Sequence, residues 1–133
     1  MPASAKTEAG FYIAQGPVEI VPIDDERGVV EAAKRIWSLG TPLIPTPDRN
    51  SYSRKPHFKL PGVRTWSDIE RQCSLWRIEE TAEGRFKIER WISTPRERGF
   101  VLDASRDEVL PPQTSFDDAI KRLCVRISED VDD

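Results

Sequence analysis

The side chains able to do covalent or acid–base chemistry are few and scattered in this 133-residue chain. One histidine, His57, and two cysteines, Cys73 and Cys124, are all that could form a thiol–imidazole pair. Cys124 falls on an apolar helical stripe, where a free cysteine serves as a small core hydrophobe. Cys73 stands between Gln72 and Ser74, with nothing nearby in sequence to lower its pKa as a nucleophilic thiolate requires. Zinc sites rich in His or Cys and paired-histidine metalloprotease helices cannot be assembled from this set. Carboxylates are plentiful, yet adjacent ones such as Glu79 and Glu80 point to opposite faces of a strand. Asp24-Asp25-Glu26 suits a helix start better than an oxygen-ligand loop. An enzyme for a small molecule would need a pocket and a perturbed acid, for which Glu70, Glu79 and Glu89 are the candidates. The seven glycines stand singly, so no glycine-rich phosphate loop exists. The expectation is a protein that is not an enzyme, with no catalytic set, no cofactor and no metal.

Binding chemistry is better represented. Trp91 alternates with Lys87 and Glu89 on one face of a strand, and a tryptophan among charges supplies a large rigid anchor at an interface. The competing reading tucks it under a proline-rich loop. Trp37 and Trp76 fall on faces expected to be buried, and Trp66 on a short turn over the sheet. Asp103, Asp107 and Glu108 mark an acidic strand-to-loop edge that could meet a basic partner. Arg49, Arg54, Lys55, Lys59, Arg64 and Arg71, interleaved with Tyr52 and Phe58, could neutralise phosphates and stack on bases. No nucleic-acid-binding module matches, so nucleic acid is the alternative partner rather than the expected one.

The elements that must position these residues follow from periodicity. Phe11–Ala14 and Val18–Val21 read as a strand pair broken by Gln15-Gly16-Pro17. A helix follows, capped by Asp24 or Asp25, with Val29, Val30, Ala33, Ile36 and Trp37 on its apolar stripe and Gly40 closing it. Three prolines at 42, 45 and 47 allow a short edge segment and then an extended loop to Pro56. His57–Leu60 resumes as a strand, and a helical turn covers Ser67–Arg71, capped by Thr65 or Ser67. Residues 74–79 and 86–92 alternate and form a hairpin through Thr81–Arg85, whose Gly84 suits a short loop. Gly99–Asp103 adds a strand after the polar link Ser93–Arg98. The last helix, capped by Thr114 or Ser115, carries Phe116, Ala119, Ile120, Leu123, Cys124 and Ile127 on one stripe and leaves Lys121, Arg122 and Arg126 to solvent.

Together these predict one α+β domain over residues 1–133, an antiparallel sheet with two amphipathic helices packed on one face. Residues 1–8 and 129–133 are expected to fray. Hydrophobic residues make up 38% and charged residues 32%, a balance that suits a soluble globule better than a disordered chain. No apolar run approaches the ~20 residues that cross a bilayer, and the N-terminus lacks the apolar core of a signal peptide. Two distant cysteines suit a reducing cytoplasm. The net charge of −3 divides as −2, +4 and −5 over residues 1–40, 41–100 and 101–133.

Gly40–Pro47, then Leu60-Pro61-Gly62-Val63-Arg64-Thr65-Trp66-Ser67, Cys73–Ile78 with its hairpin, and Leu110–Ser115 entering a terminal helix form an ordered set of motifs. This set, spanning about two-thirds of the chain, resembles small CdiI-like immunity proteins of bacterial contact-dependent growth inhibition systems. The resemblance implies a non-enzymatic cytoplasmic antidote. Its partner would be the C-terminal toxin domain, often a nuclease, whose active site or substrate groove it blocks. The resemblance transfers no binding residue; layout alone nominates Trp91 as anchor with Asp103, Asp107 and Glu108 beside it. The sequence sets no oligomeric state.

Overall fold

The structure is a computed structural model that describes residues 1–7, 12–41, 43–44, 64–94 and 97–132. Its elements are those of an α+β fold with antiparallel sheet pairing and amphipathic helices, as expected. Hydrogen bonding divides the strands into two sheets, and the chain falls into two units, residues 1–65 and 66–133. Each holds its own sheet and one long helix, so the single sheet carrying both helices gives way to two.

In the first unit β1 (Pro2–Thr7) lies between β2 (Tyr12–Val18) and β3 (Leu43–Ile44). β1 pairs antiparallel with β2 and parallel with β3, which makes Leu43–Ile44 the edge segment the prolines allow. Residues 2–7 are the central strand, and the Met1 ammonium donates to the Glu19 carbonyl at 2.7 Å. One expectation is corrected here: residues 12–14 pair with β1 and not, as expected, with 18–21. β2 runs through Gly16-Pro17, and its register with β1 jumps from Ala3–Gln15 to Pro2–Val18. The two residues left over form a bulge, which is how a strand tolerates a proline that has no ladder N–H.

α1 (Glu26–Ser38) starts on Asp25, whose carboxylate accepts the Gly28 N–H at 3.1 Å. Val29, Val30, Ala32 and Ala33 are buried. The helix ends as Gly40 turns to φ +68°, where its N–H donates to the Trp37 carbonyl. Trp37 was expected in the core and is instead 40% exposed, because the buried face closes at Ala33 and Trp37 lies a full turn beyond it.

The second unit opens with α2 (Trp66–Gln72), one residue past Thr65. β4 (Leu75–Glu80), β5 (Phe86–Thr94) and β6 (Glu97–Leu102) form an antiparallel meander, and β7 (Glu108–Val109) also pairs with β5. Gly84 at φ +77° makes the β4–β5 turn, as the hairpin reading requires. A 3₁₀ turn over Ala104–Arg106 leads to β7. The chain then makes a turn at Pro111–Thr114, in which Gln113 takes φ +66°, and enters α3 (Phe116–Asp132). Ser115 caps α3 by accepting the Asp118 N–H at 3.1 Å. The helix continues to Asp132, and Asp130 pairs with Arg90.

The core of this unit is Ile88, Leu110 and Ala119, with Trp76, Ile78, Phe86 and Leu123 packed against it. Trp76 is thus a core side chain, as expected. Fully burying an aliphatic side chain such as Ile88 contributes about 1.5–3 kcal/mol. The strand His57–Leu60, the proline-rich loop beyond Ile44, and the side chains of Trp66 and Glu70 lie outside the described residues.

Candidate binding face of the second sheet

Register and pleat sort the sheet's side chains into two faces. Residues directly opposite one another in an antiparallel pair share a face, and neighbours along a strand do not. Leu75 is opposite Trp91, and Trp91 is opposite Leu102. The three make one apolar row across β4, β5 and β6. Leu75 is 40% exposed and Leu102 39%, while Trp91 between them is half-buried. The Trp91 indole N–H is buried and has no partner among the described residues. Ser93 and Phe100 form the next row on this face, and Arg77 with Glu89 the row on the other side. Beyond them Glu79, Lys87 and Val109 complete the face.

Glu89, on the same face as Trp91 and Lys87 as expected, is only 4% exposed. Burial pushes its carboxyl up from the usual glutamate range, and the neighbouring Glu79 carboxylate pushes it the same way. The two carboxyls share a hydrogen bond, and Lys87 and Arg77 offset part of the effect. Glu89 is therefore the perturbed acid that sequence reasoning sought among Glu70, Glu79 and Glu89. Carboxyls that share a hydrogen bond are closer than the about 5–5.5 Å at which a retaining glycosidase pair flanks its substrate.

The opposite face carries the core and α3. Ile88 is opposite Ile78 on one side and Glu108 on the other, and Arg90 is opposite Trp76. Here the acidic residues nominated as an interface are largely consumed by the fold. Glu108 accepts from Arg122 Nε at 2.8 Å and Nη2 at 2.9 Å, and from Arg126 Nη1 at 2.8 Å. Those bonds hold its carboxyl below the usual range, the Arg122 bond most strongly. Both arginines pair with β7: Arg122 still faces solvent, as expected, whereas the same expectation for Arg126 is corrected. Arg126, 10% exposed, also donates to the Arg106 carbonyl and lies 5.4 Å from the Trp76 ring centroid. Asp103 accepts from the Ser105 hydroxyl at 2.6 Å and pairs with Arg90 at 3.5 Å, and its carboxyl is lowered mainly by the serine. Asp107 pairs with Lys87 at 3.5 Å and keeps one buried oxygen without a partner among the described residues.

The four nominated residues therefore do not converge. Lys87 draws Asp107 toward the face of Trp91, whereas Arg90 and the α3 arginines draw Asp103 and Glu108 to the other side. What sequence reasoning missed were Leu75 and Leu102. Each begins or ends a strand, and only the register sets them beside Trp91.

Burial pushes the Cys73 thiol up, the direction opposite to that of an activated nucleophile, and Cys124 is buried in α3. Of the basic stretch, Arg64 is exposed, Arg71 pairs with Asp68 at 2.7 Å, and Arg49, Arg54, Lys55, Lys59 and His57 lie outside the described residues. Among the described residues no three His, Cys, Asp or Glu side chains cluster as a metal site would need. No helix among them is long and apolar enough to cross a membrane. Compared with models of protein families, with curated proteins and with solved structures, the chain matches none.

Proposed function

We propose that this chain is a binding protein without catalysis of its own, an antidote that neutralises the C-terminal toxin domain of a contact-dependent growth inhibition system in the cytoplasm. The observation that carries the reading is the Leu75–Trp91–Leu102 row, a tryptophan flanked across two strands by exposed leucines. Aromatic anchors ringed by apolar neighbours are where interfaces concentrate their energy. The resemblance of the sequence motifs supplies the class of partner. In this reading the acidic trio holds the fold together, and the row, with Phe100 beside it, meets the toxin.

The test is co-expression with the C-terminal toxin domain encoded immediately upstream, followed by growth measurement and sizing of the complex. Rescue with an equimolar complex is expected. Trp91→Ala should keep the wild-type circular dichroism and lose at least about 2 kcal/mol of binding, roughly thirty-fold in Kd. Continued toxicity with both chains present in solution would remove the antidote reading. Undiminished affinity of the Trp91 variant would remove this face alone.

A further inference from the structure

β4 stands at the end of the order β4-β5-β6, so among the described residues one side of its backbone has no ladder partner. Ladder parity shows which groups face outward. The Arg90 carbonyl accepts from the Asp103 N–H and the Phe86 carbonyl from the Leu110 N–H. Even-numbered residues of β5 thus turn their polar groups toward β6 and β7, and odd-numbered ones turn theirs toward β4. The register partners Leu75, Arg77 and Glu79 answer them. The N–H and C=O groups of Trp76, Ile78 and Glu80 are left directed out of the sheet.

From this edge we infer that two copies of the chain pair, β4 against β4, antiparallel about a two-fold axis at Ile78. A two-fold contact must be self-complementary, with residue i opposite j and j opposite i. With Ile78 on the axis, Arg77 of each copy stands directly opposite Glu79 of the other, on one face. Trp76 stands opposite Glu80 on the other face. Neighbouring registers fail: an axis at Arg77, Glu79 or Glu80 sets that charge against itself, and an axis at Trp76 sets Arg77 against Leu75. Opposite charges across an antiparallel pair are favourable and like charges unfavourable. Within one copy Arg77 and Glu79 already pair at 3.0 Å, with side chains 44% and 34% exposed, so pairing extends two charges into a ladder of four.

Two of the devices that protect an edge, a proline and a bulge, are missing from the strand, and its charges Arg77 and Glu79 are the ones this register pairs. The six register pairs of β4 with β5 run without a shift, whereas the β1–β2 and β5–β6 ladders each shift register. Trp76 and Ile78, half-buried beside the core, gain cover from the second copy.

Light scattering behind a sizing column reads the result directly. The wild type should run at twice 15.2 kDa, falling toward a single chain on dilution. Arg77→Glu and Glu79→Arg should each halve the mass, since each sets like charges across the axis, while circular dichroism stays that of the wild type. Mixing the two single variants should restore the doubled mass, because each then supplies the charges the other lacks. Ile78→Cys, oxidised, should give a covalent dimer that wild type does not. It reads the axis even where a charge variant fails to fold, since opposed Cα atoms about 5.5 Å apart suit a disulfide. A monomeric wild type at every concentration, dimeric single variants, a mixture of folded variants that stays monomeric, or no crosslink at Ile78 overturns the pairing.

Discussion

The two faces of the second sheet use the same residue types to opposite ends. On the α3 face both nominated charges are matched, Glu108 by two arginines and Asp103 by Arg90 and Ser105, and Arg90 also holds Asp130. On the other face two carboxyls, Glu79 and Glu89, are set against each other, and an apolar row beside them stays partly open. Charge on a protein surface is therefore no guide to a binding role until its partners are known. Here the acids hold the fold, and the leucines and tryptophan are what remains for contact.

The largest expected effect breaks the closed face at its centre. Ile88→Ala removes a fully buried side chain between β5 and α3 and should cost about 2–5 kcal/mol, read from urea denaturation. Leu75→Ala or Leu102→Ala on the open face should stay within about 1 kcal/mol, and an equal cost would abolish the distinction. Next comes Glu108→Ala, which strands Arg126 at 10% exposure and should cost about 1–3 kcal/mol. Arg122, 42% exposed, adds little to that sum because water screens it.

Acid sharpens the contrast because the two faces respond with opposite sign. The Glu108 carboxyl is lowered in the folded state, so the unfolded chain takes up its proton first. Its contribution is present above the ordinary glutamate value of 4.5 and is lost as pH falls through the folded value. Glu89 behaves the other way. Glu89 is raised, so the folded state holds a proton that the unfolded chain releases, and stability falls as pH rises from 4.5 through the folded value. Glu89→Gln should accordingly stabilise the protein at neutral pH. Thermal melts from pH 4 to 8 should show that gain vanish toward the acid end, and a gain independent of pH would deny that burial raises the Glu89 carboxyl. The smallest effect lies in the turn before α3: Gln113→Gly should raise stability by about 0.5–1 kcal/mol, because φ +66° strains any residue with a Cβ.

The hairpin, α1 and α3 were legible because each repeats a period over enough residues to be distinctive. Ser115, Asp25, Gly40 and Gly84 punctuate them where side-chain and backbone chemistry demands. β1 was illegible: Pro-Ala-Ser-Ala-Lys-Thr has neither aromatic nor β-branched residues until its end, and its place comes from pairing on both sides. The site was half legible. Trp91 stood out by type, but its flanking leucines come from strands joined only by register. The partners that consume the acids lie far along the chain, Arg122 fourteen positions from Glu108 and Asp130 forty from Arg90. Local spacing carries no trace of such pairs.

Arg126 touches three elements at once: the Glu108 carboxylate on β7, the Arg106 carbonyl in the 3₁₀ turn and the Trp76 ring on β4. A group shared in this way couples local openings. Lifting α3 from the sheet releases the turn and β7 in the same event, so their amides should exchange with solvent at one common free energy rather than fray separately. The acidic stretch from Asp103 to Glu108 then belongs to the most slowly exchanging part of the second unit, although by composition it reads as a loop.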